Sequence, residues 1–143
     1  MSAASAFRST FLVVAGAAAL AGCTSVPPPL QGAWSTLTPR EASEQALGTT
    51  VRWGGRLVAV EPRDSLTCLR LIAQPLGPNG QPDGSTTSLG PFVACREGRF
   101  PESSFQPNRE VTVTGRIDGF DGTERDARVP RVAADAVLLW PQR

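Results

Sequence analysis

Apolar residues are distributed in two different ways along this chain. Residues 11–20 form a continuous apolar run without a charge, whereas apolar and polar residues alternate over much of the segment after residue 50. A helix over the run would span roughly 16–20 Å at about 1.5 Å per residue, and the hydrocarbon core of a bilayer is about 30 Å thick. The run is therefore too short for a transmembrane helix and, with Arg8 before it, is typical of a secretory signal peptide.

The apolar run ends in the tetrapeptide Leu20-Ala21-Gly22-Cys23, which is typical of a lipobox. An ordinary signal peptide that is cut near Ala21 and carries no lipid is the alternative. We favour lipidation because every position of the motif matches behind an apolar run, so Cys23 becomes the lipid-bearing first residue of the mature protein. Thr24, and not Asp, follows it, which favours the outer membrane over retention at the inner membrane.

The motifs divide the chain into three parts. We predict a lipoprotein signal peptide over 1–22, a lipidated N-terminus and tether over 23–37, and a β domain over 38–143. The run Pro27-Pro28-Pro29 favours an extended tether. Leu30 and Trp34 are candidates to fold back onto the domain.

One short helix is predicted where the tether ends. Thr38 is placed to cap its N-terminus, Pro39 suits the first helical position, and Glu41 completes a capping box. Gly48 can end the helix after about ten residues. A helix this short must pack against the rest of the domain to be stable.

From Thr50 onward the apolar positions recur with a period of two, which predicts β-strands. The pair Gly54-Gly55 inside the first strand predicts a bulge or a sharp barrel bend. The segment 118–122 has the composition of a turn. The predicted strands cover 50–60, 66–73, 92–95, 110–117, 128–132 and 133–140.

The pattern of short strands predicts an all-β domain. A small antiparallel β-barrel of the OB type, with one short N-terminal helix, would protect the edges of these strands by closing the sheet. A β-sandwich is the alternative architecture.

The cysteines predict a disulfide. Once Cys23 carries lipid, Cys68 and Cys95 are left as a pair in an export compartment, where disulfides persist. A hairpin centred on Gln81-Pro82, in the turn-rich segment between them, places Cys68 directly opposite Cys95. Two free, half-buried thiols are the alternative.

Composition excludes several classes of function. The 14 basic residues, all of them Arg, nearly balance 13 acidic residues, so nothing favours a nucleic-acid partner. The chain has no His, which excludes Ser-His-Asp catalysis and His metal ligands. Asp118 and Asp121 resemble a fragment of a calcium loop that lacks its other ligands. We therefore predict no metal site, no cofactor and no enzymatic activity.

Four motifs occur in an order that resembles the starvation-inducible outer-membrane lipoprotein (Slp) family of Gram-negative bacteria. They are Val-Arg-Trp-Gly-Gly at 51–55, Ser-Leu-Gly-Pro-Phe-Val-Ala at 88–94, Val-Thr-Val-Thr-Gly at 111–115, and Leu139-Trp140. The resemblance covers nearly the whole mature chain and makes 38–143 an Slp-like β domain. It implies a place on the outer membrane and a link to stationary phase or stress, without an established enzymatic activity.

The leading functional hypothesis is a non-catalytic lipoprotein that supports envelope integrity or stress tolerance. We expect acyl chains on Cys23 to hold it on the outer membrane, facing the periplasm, where an envelope protein is a candidate partner.

The alternative is a binding module for a small anionic ligand or an envelope protein. Arg52, Arg56 and Arg70 lie on neighbouring predicted strands, and guanidinium groups suit carboxylate or phosphate. A solvated polar face, in which carboxylates such as Glu61 pair with these arginines, would explain the same pattern without a ligand.

Overall fold

The computed structural model of the chain describes residues 25–122 and 128–143. The predicted signal peptide, the lipobox and Cys23 lie outside these residues. Within the described part, no helix has the length and the apolar character that crossing a bilayer requires.

Five strands form a closed barrel in the order β1-β2-β3-β5-β4, with β4 pairing back onto β1. The predicted OB-like barrel is confirmed, and closure of the sheet on itself excludes the sandwich. Neighbouring strands are antiparallel except for β3 and β5, which pair in parallel. The strands are β1 (Thr50–Arg63), β2 (Leu66–Ala73), β3 (Pro91–Glu97), β4 (Glu110–Asp121) and β5 (Val129–Leu139).

The barrel interior is filled by the apolar residues that alternate along each strand, because successive side chains of a strand point to opposite faces. Trp53 of β1 packs edge to face on Phe92 of β3, with ring centroids 5.4 Å apart. Phe100 and Phe105, from the loop after β3, pack against the same core. Other fully buried members are Val51, Leu57, Leu69, Leu71, Val111, Val113, Ile117 and Val132.

Two glycines allow neighbouring strands to approach where the barrel bends. A Cβ at Gly55 would lie 1.8 Å from the carbonyl oxygen of Ile72 on β2, and one at Gly115 would lie 2.1 Å from that of Ala133 on β5. The predicted bend in β1 is therefore explained by a close strand contact that excludes any side chain. The bulge lies just beyond it, where the β1–β2 register shifts between Leu57 and Ala59.

The predicted N-terminal helix is wrong. Its place is taken by two 3-10 turns, Pro39–Glu41 and Glu44–Ala46, and Ala42 between them is extended with φ −67° and ψ 128°. The capping interaction does form: the Glu41 carboxylate accepts hydrogen bonds from the Thr38 N–H at 3.1 Å and from the Thr38 hydroxyl at 2.7 Å.

The barrel explains why no helix forms in this segment. The Arg40 N–H donates to the Leu89 carbonyl at 3.0 Å, and the Gly48 N–H donates to the Ile117 carbonyl at 2.8 Å. A short helix has a costly nucleus and few bonds to offset it, so contacts with the barrel decide the backbone conformation here.

The turn predicted at 118–122 is also wrong. Strand β4 continues to Asp121, and β5 runs unbroken from Val129 to Leu139 where two strands were predicted. Arg131 of β5 lies opposite Gly119, and its guanidinium binds Asp118 at 3.0 Å. Cross-strand ion pairing therefore favours extended backbone over a local turn in this segment.

The predicted disulfide joins Cys68 of β2 to Cys95 of β3, and the two residues are directly opposite in the strand register. The register of the β2–β3 hairpin is the predicted one, since Leu71 also lies opposite Phe92. Both cysteines are buried in a small cluster with Val93, outside the main core. The bridge thus fastens two strands on the face of the sheet that points away from the barrel interior, where Val129 packs over it.

Candidate binding site

The structure places the three predicted arginines in different surroundings. Arg52 donates from Nη1 to the carbonyl of Leu30 at 3.1 Å, and Arg70 forms an ion pair with Glu61 at 3.3 Å. Arg56 lines two clefts and Arg52 lines a third, and none of these three clefts is lined by two of the predicted arginines. Arg52 therefore holds the N-terminal segment on the barrel, and Arg70 belongs to a paired polar surface.

Arg70 adjoins a network of ion pairs at one end of the barrel. Arg63 binds Glu61 at 2.9 Å and Asp121 at 2.7 Å. Hydrogen bonds from Arg63 lower the pKa of both carboxylates, and the two carboxylates raise the pKa of Arg63. These charges are paired with each other, so the network needs no ligand to balance it. Its role is to link strand β1 to strand β4.

Arg56 differs from the other two because it lines a cleft of about 400 Å³. The cleft lies between the bulged part of β1, the end of β2 and the loop that joins β2 to β3. The Nη2 atom of Arg56 is 3.4 Å from the carbonyl oxygen of Ser85 and 3.5 Å from that of Gly84. Both distances are at the outer limit of hydrogen bonding. Among the described residues, Arg56 has no carboxylate within 4.0 Å.

Gln74 contributes a second polar group to the wall of this cleft. Its side chain is 6% exposed, and its Nε2–H donates to the Ser85 carbonyl at 2.7 Å. Its Oε1 atom is buried and has no hydrogen-bond partner in the described part of the chain. A buried acceptor without a donor is uncommon in folded proteins and requires a specific explanation.

Exposed apolar side chains flank these polar groups. Val58, at the bulge, is 50% exposed, and Ile72 of β2 is 37% exposed. Hydroxyl groups of Thr87 and Ser88 and the amide of Asn108 complete the lining. We name this site the Arg56 cleft. Its lining includes an exposed guanidinium and exposed apolar side chains, with the buried amide of Gln74 beside them.

A second cleft of about 500 Å³ shares Arg56 with the first and extends it towards the C-terminal residues. Arg109 and Arg143 line it together with Glu110, which binds Arg143 at 2.7 Å. This ion pair raises the pKa of Arg143. The lining carries more cations than carboxylates, so the extended groove attracts anions.

Sequence reasoning identified Arg56 and missed the rest of the Arg56 cleft. Gln74 begins a segment whose turn-forming residues predict a loop, and a lone Gln at that position carries no signal for a buried acceptor. Val58 continues an apolar strand pattern, and its exposure results from the register shift that follows Leu57. The described lining of the cleft carries a guanidinium, hydroxyl groups and side-chain amides, all of which can bind a polar ligand.

Two solved structures are similar to the barrel. OBody NL8 and OBody AM3L09, each bound to hen egg-white lysozyme, have TM-scores of 0.41 and 0.48 and sequence identities of 11% and 12%. The matches cover 67% and 80% of this chain, and 98% and 99% of the OBody chains.

Sequence comparison gives a family. The lipoprotein YeaY of Escherichia coli (strain K12) is 31% identical over 107 residues, which are 70% of this chain and 54% of that protein. The chain thus spans about half the length of this curated relative. The profile of the outer membrane lipoprotein Slp family matches residues 20–143. The chain therefore belongs to the Slp family of lipoproteins, which are anchored by lipid at the outer membrane.

Proposed function

We propose that this protein is a non-catalytic lipoprotein that supports the envelope in stationary phase or under other stress. It does so by holding a rigid β-barrel at the periplasmic face of the outer membrane, where the barrel makes contacts with other envelope components.

Closure of the barrel is the observation that carries this proposal. All five strands have a partner on each side, and apolar side chains fill the interior. A filled barrel has no internal ligand cavity, so its contacts with other molecules are made on its outer surface. The Cys68–Cys95 bridge adds rigidity to that surface.

The anchor keeps the barrel close to the membrane. Leu30 is fully buried against the barrel. The segment from Thr24 to Leu30, which joins Cys23 to this point, has seven residues. Seven residues reach at most roughly 25 Å when fully extended. One acyl chain binds a membrane only marginally, whereas several chains on Cys23 hold the protein there permanently.

A gene deletion tests the proposal. The deletion strain is expected to take up a hydrophobic dye faster than wild type and to survive stationary phase and acid less well, and a plasmid copy of the gene restores both properties. The same strain with an empty plasmid is the control. Unchanged dye uptake and survival in the deletion strain would reject the stress role.

The Arg56 cleft favours a second function, binding of an anionic ligand. The specific observation is an exposed guanidinium that has no carboxylate within 4.0 Å in the described chain and makes only long contacts to the carbonyls of Gly84 and Ser85. Titration of the lipidated protein with acetate tests it, because the NMR signal of the Arg56 guanidinium is expected to shift. Arg116 is exposed on β4, opposite Thr50, and its signal is expected to stay in place.

A further inference from the structure

We infer that the Arg56 cleft binds the C-terminal end of a peptide, with a free carboxylate and an apolar last residue. The inference rests on the second proposed function, anion binding, and names the class of ligand. It follows from three features of the cleft that a peptide end satisfies together.

The first feature is the cation. The Nη2 atom of Arg56 makes only two long contacts, both to backbone carbonyls, so its guanidinium can turn to a better acceptor. A carboxylate accepts two parallel N–H bonds from a guanidinium, and such charge-assisted pairs are about twice as strong as neutral hydrogen bonds. Arg143 and Arg109 in the adjoining cleft attract the same charge.

The second feature is the acceptor beside that cation. Gln74 Nε2 and Arg56 Nη2 both approach the carbonyl oxygen of Ser85, so the two side chains are neighbours. The Gly84 carbonyl receives only the 3.5 Å contact from Arg56 in the described chain, so it can accept another N–H when the guanidinium turns to a carboxylate. A peptide end carries an amide N–H within the same residue as its carboxylate, whereas a fatty acid or a phosphate ion has no such N–H.

The third feature is the apolar floor. Val58 and Ile72 are among the few large apolar side chains that the described surface exposes, and both line this cleft. An apolar side chain on the last residue of the peptide covers them while its carboxylate reaches Arg56. At about 400 Å³ the cleft is within the usual range of small-ligand sites.

The test uses the lipidated, full-length mature protein in nanodiscs. Four probes are titrated against the side-chain NMR signals of Arg56 and Gln74: N-acetyl-alanyl-leucine, its C-terminal carboxamide, octanoate and inorganic phosphate. We expect the free peptide acid to bind about ten-fold more tightly than the carboxamide or octanoate, because each lacks one charge-assisted or amide hydrogen bond. The N–H proton signal of the last residue of the peptide acid is expected to move downfield on binding, because this N–H gains a backbone carbonyl as its acceptor.

Variants locate the site. Arg56→Gln is expected to weaken peptide binding by about ten-fold or more, and Arg116→Gln, the matched control, by less than about two-fold. Peptide binding that survives Arg56→Gln would overturn the inference. The affinities of the peptide acid and of its carboxamide are compared on the wild-type protein. This comparison therefore tests the inference even if a variant fails to fold.

The probes distinguish failure of the peptide inference from failure of the anion-binding function. If octanoate or phosphate binds as tightly as the peptide acid and shifts Arg56, the peptide inference is overturned and the anion-binding function stands. If none of the four probes, nor acetate, shifts the Arg56 signal, both are overturned.

Discussion

Removal of the Cys68–Cys95 bridge is expected to destabilise the barrel strongly. The bridge joins residues that are 27 apart, and the chain-entropy model assigns about 3.6 kcal/mol to a loop of this size. The strand register already places the two residues opposite each other, so the fold remains when the bridge is absent. For a domain of this size, the loss corresponds to a decrease of about 10–20 °C in the melting temperature.

The assay compares oxidised and reduced protein of the same sequence. Thermal and urea unfolding of the lipidated protein in detergent are followed by circular dichroism, with and without a reductant. A double variant, Cys68→Ala with Cys95→Ala, is expected to be at least as destabilised as the reduced protein, because both cysteines are buried and their sulfur atoms also pack. Oxidised and reduced protein that unfold with free energies within about 0.5 kcal/mol of each other would refute the entropy argument.

Two further predictions concern the glycines and the ion pairs of the barrel. Gly55→Ala is expected to cost at least about 3 kcal/mol in urea unfolding, because its Cβ would lie 1.8 Å from a carbonyl oxygen of β2. Gly77→Ala, whose Cβ has no neighbour nearer than 3.5 Å, is expected to change the free energy of unfolding by less than about 0.5 kcal/mol. Ion pairing with Arg63 lowers the folded-state pKa of Asp121, so this stabilisation is complete above the unfolded pKa and is lost as the pH falls below about 4. Asp121→Asn is expected to reduce the acid sensitivity of the melting temperature, whereas the same change at exposed Asp135 leaves it as in wild type.

The alternation of apolar residues predicts the barrel well because burial of one strand face fixes the register. A slip of one residue in the β2–β3 hairpin would turn the apolar face of one strand, with either Leu71 or Phe92, away from the core and would separate the two cysteines. The turn-forming residues between the strands specify the centre of the hairpin. The register of this hairpin and the disulfide are therefore readable from the sequence.

Local signals fail where contacts distant in sequence decide the conformation. The capping residues Thr38 and Glu41 form their hydrogen bonds, yet the barrel contacts of Arg40 and Gly48 replace the helix that those residues would begin. Likewise, Arg131 holds β4 extended where composition predicts a turn.

The candidate site was predictable only in part for the same reason. Alternation places Arg52, Arg56 and Arg70 on the barrel surface, but their partners come from other segments. The Leu30 carbonyl reaches Arg52 from the N-terminal segment, and Glu61 reaches Arg70 along the β1–β2 hairpin. The buried Oε1 of Gln74 depends on how the β2–β3 loop folds over it, which no local pattern in the sequence specifies.

Membrane fractionation of a Cys23→Ser variant tests most directly that this protein acts from the outer membrane as a lipid-anchored barrel. The wild-type protein is expected in the outer-membrane fraction, with a mass that includes acyl chains on Cys23. The variant lacks the thiol that accepts the lipid and is expected as a soluble or unprocessed form without acyl chains. A Cys23→Ser protein that remained acylated and bound to the outer membrane would contradict the account.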